Sequence, residues 1–208
     1  MGDLFLLRHG QTAWAEAGRH TGLTDVPLTA YGEQQARAAG DALRAVLSAQ
    51  QVALVLTSPL QRARRTAELA GLPEAQAEPD LVEWDYGGYE GQTTAEIRAA
   101  GHPGWLIFHD GVVPGATPGE TLEQVAARGR RVLDRVRPAL ADGDVVLVGH
   151  GHALRVLAAD WLGRPPDLAQ QLILSPASVS RLGSEHDVPA VRAWNVLPPD
   201  GSAVGTGG

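Results

Sequence analysis

Three short apolar runs constrain this 208-residue chain more than any other feature: LFLL (4–7), VALVL (52–56) and VVLV (145–148). Runs of four or five such residues, bounded by turn formers, read as strands buried on both faces. Between them lie stretches of helical period. Ala36, Ala39, Leu43, Val46 and Leu47 predict a helix over 30–49, with Thr29 as its N-cap. Leu154, Leu157, Ala158 and Trp161 share one face of a helix that follows the third run. Strands alternating with helices predict an α/β fold, a three-layer α/β/α sandwich around a mostly parallel central sheet.

The other elements follow from local signals. Ser58 and Pro59 suit the N-cap and first position of a helix running to about Ala70, where Gly71 stops it. A loop or short strand leads to Leu81 and Val82, and a short helix is expected at 93–100. Residues 101–119 hold five glycines and three prolines around Trp105, Ile107 and Phe108, a covering loop with an apolar anchor. Thr121 with Gln124 reads as a capping box that opens a helix to about 137. Residues 142–144 read as a turn, and 171–174, 177–182 and 190–196 as further strands. The expected organisation is one domain, 1–197, with a disordered tail at 198–208.

Composition narrows the chemistry. The chain has no cysteine, which excludes thiolate nucleophiles, disulfides and zinc–cysteine sites. All 17 basic residues are arginine, so Schiff-base chemistry and a P-loop lysine are excluded as well. A net charge of -7 argues against a general nucleic-acid surface, so an anion must be held by a local arginine cluster. No apolar run approaches the roughly 20 residues of a membrane span. Asp3 precedes an apolar run too short for a secretion signal, so a cytoplasmic protein is expected.

Each strong strand releases polar residues at its carboxyl end: Arg8-His9-Gly10, the Ser58–Arg62 turn, and Gly149-His150-Gly151-His152. Open α/β sheets bind ligands at that edge. Arg8 and Arg62 can each offer a fork of donors to phosphate oxygens, and the amides at the start of the helix after His150 can add to them. A neutral imidazole beside a bound phosphate is a competent nucleophile, a second can stabilise the transferring group, and a carboxylic acid can protonate the leaving oxygen. His150 and His152 also have the spacing of a metal-ligand pair, but no carboxylate lies at a familiar ligand spacing from them. Asp142-Gly143-Asp144 precedes a strand, whereas an aspartyl-phosphate nucleophile should follow one, so it reads as a turn.

In order along the chain stand RHGQT (8–12), GRHTG (18–22) with PLT (27–29), TSPLQRA (57–63), EWDYGGYEG (83–91), GET (119–121) and GHG (149–151). This ordered set resembles branch 1 of the histidine phosphatase superfamily, the phosphoglycerate-mutase-like group. The resemblance implies that His9 attacks phosphorus and carries a phosphohistidine, while Arg8, Arg62 and His150 hold the phosphoryl oxygens. It implies that Glu83, rather than Glu90, protonates the leaving group and then activates water. Gln11, Thr12, Thr21, Gly22, Tyr86, Gly151 and His152 are expected around the phosphate and substrate. Arg19 and His20 are candidate contacts; His102, His109 and His186 are expected at the surface.

No metal or cofactor is implied. The expected partner is a small phosphorylated metabolite, with no nucleic acid and no membrane; a homodimer is left open. Mutase members commonly carry Asn at the position of Ala15, and the 93–119 region lacks their basic segment. Both departures favour hydrolysis of a sugar phosphate or similar ester, as in small acid phosphatases and sedoheptulose-bisphosphatase-like enzymes, with phosphoglycerate mutase as the alternative.

Overall fold

A computed structural model describes residues 2–47, 52–72 and 74–198. In chain order the elements are β1 (Leu4–Arg8), α1 (Ala13–Glu16), α2 (Ala30–Val46), β2 (Val52–Thr57), α3 (Gln61–Leu69), β3 (Gln76–Ala77), α4 (Thr94–Ala99), α5 (Ile107–Asp110), α6 (Leu122–Ala139), β4 (Asp144–Gly149), α7 (Gly151–Trp161), β5 (Val179–Glu185) and β6 (Val188–Val196). The six strands lie in the order β3-β2-β4-β1-β5-β6. The first four of that order run parallel; β5 and β6 are antiparallel additions.

The period-two geometry of a strand explains why the apolar runs are continuous rather than alternating. Leu4 and Leu6 of β1, with Val145 and Leu147 of β4, pack against Val132, Leu133, Val136, Leu154 and Leu157 of α6 and α7. The intervening Phe5, Leu7, Val146 and Val148 face the other way, against Ala39, Leu43, Ala63 and Ala67 of α2 and α3. Both sheet faces are covered, so every position of these strands is buried except Arg8 at the end of β1. A third apolar cluster sits above the carboxyl edge. Trp84, Tyr86, Tyr89, Trp105, Ile107 and Phe108 gather there, so the 101–119 segment is anchored by its aromatic and branched residues.

The predicted caps form. Thr29 Oγ1 accepts from Gly32 N, and Thr121 and Gln124 make both bonds of a capping box. Two expectations need correction. The helix after β2 begins at Gln61, with Leu60 rather than Ser58 at the N-cap position. Asp25 Oδ1, from the preceding loop, accepts the Gln61 N–H at 2.8 Å, and this distant carboxylate does the work expected of Ser58. Residues 171–174 are not a strand: a 3₁₀ helix covers Pro166–Gln171, and the chain then runs irregularly to β5. The expected end of α2, at 47–49, falls partly outside the described residues, as does all of the expected tail except Pro198. Among the described residues no helix is long and apolar enough to cross a membrane.

Candidate active site

Parallel register brings the strand ends together. Arg8 of β1 stands opposite Gly149 of β4, and Thr57 of β2 opposite Val148. His9 and His150, the next residues of β1 and β4, therefore emerge at one level, and Ser58 of β2 follows one residue lower. The His9 and His150 rings meet edge to face, with centroids 5.1 Å apart.

His9 is buried, and its Nδ1 lies 2.7 Å from the carbonyl oxygen of Gly10. A carbonyl only accepts, so Nδ1 carries the hydrogen and Nε2 keeps its lone pair. Gly10 is held in turn: its N–H donates to Thr66 Oγ1 at 3.1 Å, and Thr66 Oγ1 donates to the Arg62 carbonyl. A side chain at Gly10 would fall 2.3 Å from the carbonyl oxygen of Gly32, so the loop after β1 touches the first turn of α2 backbone to backbone. Burial, then the positive charges of Arg62 and Arg8, hold the His9 imidazole well below its ordinary pKa.

Arg62 is fully buried, and the structure revises its expected geometry. Its Nε donates to His150 Nδ1 at 3.1 Å, Nη1 to Thr24 O, and Nη2 to both Thr21 O and Gly22 O. Four of its five N–H groups are thus occupied by the protein, and a bidentate fork on phosphate is not free. Arg8 is the better placed cation. Its Nη1 donates to the Leu174 carbonyl, while its buried Nε has no partner. A Cβ at Gly151 would lie 3.2 Å from Arg8 Cζ, so the glycine lets the α7 backbone approach the guanidinium. Burial lowers the pKa of both arginines, and the Glu83 carboxylate opposes that shift.

Glu83 sits at the start of α7. Its Oε1 accepts from Trp84 N and Ala153 N, both at 2.9 Å, and its Oε2 from His152 N at 3.1 Å. The first-turn amides expected to hold phosphate therefore hold this carboxylate, and only the Gly151 N–H is left without a partner among the described residues. Arg128 fixes the segment that carries Glu83. It donates to the carbonyls of Asp80 and Val82 and pairs with Glu120, which accepts from Asp85 N. Nothing in the sequence marked Arg128 among the six arginines of 128–155; only its spacing on the buried face of α6 could have.

The other expected site residues divide into two groups. Tyr86 and His152 join the site's aromatic wall, with Tyr86 Oη 2.6 Å from His152 Nδ1. His20 packs on Tyr86 and Trp105, with centroids 4.9 and 5.4 Å away. Burial holds both imidazoles down, His20 to about 4, and pushes the Tyr86 phenol well above its ordinary value. The wall is therefore uncharged at neutral pH.

Gln11 and Thr12 are instead occupied locally. Gln11 Oε1 accepts from Thr29 Oγ1, and Thr12 Oγ1 caps α1 at Ala15 N. Thr21 and Gly22 serve through their carbonyls, as partners of Arg62, and the Thr21 hydroxyl turns to Arg19 O. Glu90 accepts from Gly22 N and Thr24 N, so it shapes the loop that Arg62 grips. Arg19 reaches Gly91 O and Glu96 rather than the strand ends, and His109 is exposed. Among the described residues no three His, Asp or Glu side chains cluster as a metal site, and His150 and His152 bond to different partners.

The chain is 38% identical over 185 residues to an acid phosphatase of Mycobacterium tuberculosis, covering 89% of this chain and 88% of that one. It is 38% identical over 184 residues to a sedoheptulose 1,7-bisphosphatase of Saccharomyces cerevisiae, covering 76% of this chain and 66% of that one. It is 32% identical to a probable phosphoglycerate mutase of Photorhabdus laumondii, covering 93% and 90%. The solved structure of an open reading frame product of Mycobacterium tuberculosis superposes with a TM-score of 0.87 at 36% identity, covering 95% of this chain and 98% of that one. The model of the histidine phosphatase superfamily (branch 1) matches residues 4–197, and the chain belongs to that family.

Proposed function

We propose that the chain is a phosphomonoesterase that works through a phosphohistidine at His9. One observation carries this reading: the Gly10 carbonyl fixes the hydrogen of His9 on Nδ1, leaving a neutral Nε2 lone pair beside the guanidinium groups of Arg8 and Arg62. In the first half-reaction Nε2 attacks phosphorus as the bond to the ester oxygen breaks. Arg8 Nε–H and the Gly151 N–H, both without protein partners, receive phosphoryl oxygens. Arg62 contributes its charge and holds the 21–24 loop. The proton for the leaving oxygen comes from Glu83. Its Oε2, with a single amide partner, has the freer lone pairs to carry it. In the second half-reaction the Glu83 carboxylate takes a proton from water, the hydroxide attacks phosphorus, the N–P bond breaks, and His9 returns to its neutral state.

The substrate reading is a small sugar phosphate or related metabolite, as the names of the acid phosphatase and bisphosphatase relatives suggest. Relatives named as probable mutases keep the alternative in play. Ala15 favours hydrolysis, since it offers no side-chain hydrogen bond to retain a phosphate for transfer back. Incubation with 3-phosphoglycerate and with a panel of sugar phosphates separates the two. Free phosphate without 2-phosphoglycerate is the expected product, whereas 2-phosphoglycerate as the main product would establish the mutase.

A further inference from the structure

Ser58 has no part in the chemistry described so far, and the sequence suggested only an N-cap. The helix starts three residues later, so its hydroxyl is free of that duty. Ser58 is fully buried, and its Oγ lies 2.7 Å from His150 Nε2. Arg62 determines the direction of this bond. A guanidinium cannot accept, so His150 Nδ1, 3.1 Å from Arg62 Nε, must be the acceptor. A neutral imidazole then carries its hydrogen on Nε2, and burial keeps His150 neutral. Nε2–H therefore donates to Ser58 Oγ, which also accepts the Leu60 N–H at 3.3 Å.

We propose that Ser58 is a positioning residue: with Arg62 it holds the His150 ring at both nitrogens in the free enzyme, and it yields the Nε2–H to the phosphoryl group that joins or leaves His9. The two anchors do different things. Arg62 selects the tautomer, and Ser58 fixes the ring's rotation by engaging its far edge. Without Ser58 the ring keeps one anchor, and a buried N–H is left unpaired in the free enzyme. The chain Arg62 to His150 to Ser58 runs donor to acceptor throughout, an arrangement in which each bond strengthens the next.

The inference rests on the reading of His150 as a ligand of the phosphoryl group, and the test separates the two. In the full-length protein, S58C keeps the shape of serine but replaces a strong acceptor with a weak one, and S58A removes it. The first readout is the proton resonance of the His150 imidazole N–H, assigned by its absence in H150Q. It should be visible in wild type, weakened by exchange in S58C and lost in S58A. The second readout is turnover of p-nitrophenyl phosphate. We expect kcat to fall about 10–100-fold in S58A and less in S58C, with KM within about threefold, as for a misaligned group. A resonance that persists in folded S58A, or S58C with wild-type kcat and resonance, would overturn the inference. Should S58A not fold, S58C decides. Wild-type activity in H150Q would instead overturn the reading of His150 while leaving the resonance test of the Ser58 bond intact.

Discussion

The imidazoles of His9 and His150 stand 5.1 Å apart, centroid to centroid, yet their neighbours hold them in opposite tautomers. The Gly10 carbonyl puts the His9 hydrogen on Nδ1, and Arg62 puts the His150 hydrogen on Nε2. One ring thereby presents a lone pair, and the other an N–H that Ser58 Oγ accepts in the free enzyme. A carbonyl and a guanidinium thus give two chemically identical side chains opposite hydrogen-bonding faces, as the proposed roles of nucleophile and electrostatic partner require.

This division predicts the acid limb of activity. Burial, followed by the arginine charges, holds both rings well below the ordinary imidazole value, so neither gains a proton near pH 6.5. The kcat/KM of p-nitrophenyl phosphate should therefore show no loss with an apparent pKa near 6.5 as pH falls from 7.5 to 5.5. A descending limb centred near 6.5 would mean that the imidazoles are not held neutral.

Glu83 should matter in proportion to the basicity of the leaving group. Nitrophenolate departs without a proton, whereas a sugar alkoxide does not. Glu83→Gln should lower kcat for a sugar phosphate by about 10²–10³, within the range for general acid catalysis, and lower it far less for p-nitrophenyl phosphate. Steady-state kinetics on the two substrates measure this, and equal losses would count against an acid role.

Stability should fall in acid because neutral histidines are buried. The native pKa of His20 is about 4, below its unfolded value of 6.5, so the unfolded chain binds the proton more readily. Its contribution is fully present above pH 6.5 and is lost as pH drops through that window toward 4, up to about 3 kcal/mol. Urea unfolding at pH 7 and pH 5 should show the decline, and His20→Gln should shrink it. An unchanged pH dependence in H20Q would contradict the assignment.

Gly10 should not tolerate even one methyl group. A Cβ there meets the Gly32 carbonyl oxygen at 2.3 Å, a backbone atom that cannot rotate away. Gly10→Ala should cost about 1–3 kcal/mol by overpacking, read as a lower urea midpoint, and should displace the carbonyl that orients His9. Wild-type stability together with wild-type kcat would argue against the contact.

Much of this was legible in the sequence because strand ends, caps and family motifs are local signals. The β1, β2 and β4 runs, the Thr121–Gln124 box and the His9–His150 convergence follow from spacing and parallel register. The division of labour among donors was not legible. Arg62 carries the motif, yet its N–H groups serve the carbonyls of Thr21, Gly22 and Thr24, a loop some 40 residues away in sequence. The α7 amides serve Glu83, 69 and 70 residues away, and Ser58 serves His150 at a separation of 92. Which donor meets which acceptor is set by tertiary packing, and no periodicity reports it. Residues 171–174 read as a strand for a similar reason, since a short apolar run does not distinguish a strand from the irregular segment that follows the 3₁₀ helix at Pro166–Gln171.

The most direct measurement is to trap the covalent intermediate. The protein is mixed with a ³²P-labelled substrate, quenched in alkali and digested, and the labelled peptide is sequenced. An alkali-stable, acid-labile phosphate on His9, absent from His9→Ala together with all turnover, is the expected result. Label on another residue, or substantial phosphatase activity in His9→Ala, would contradict the role of His9 as nucleophile.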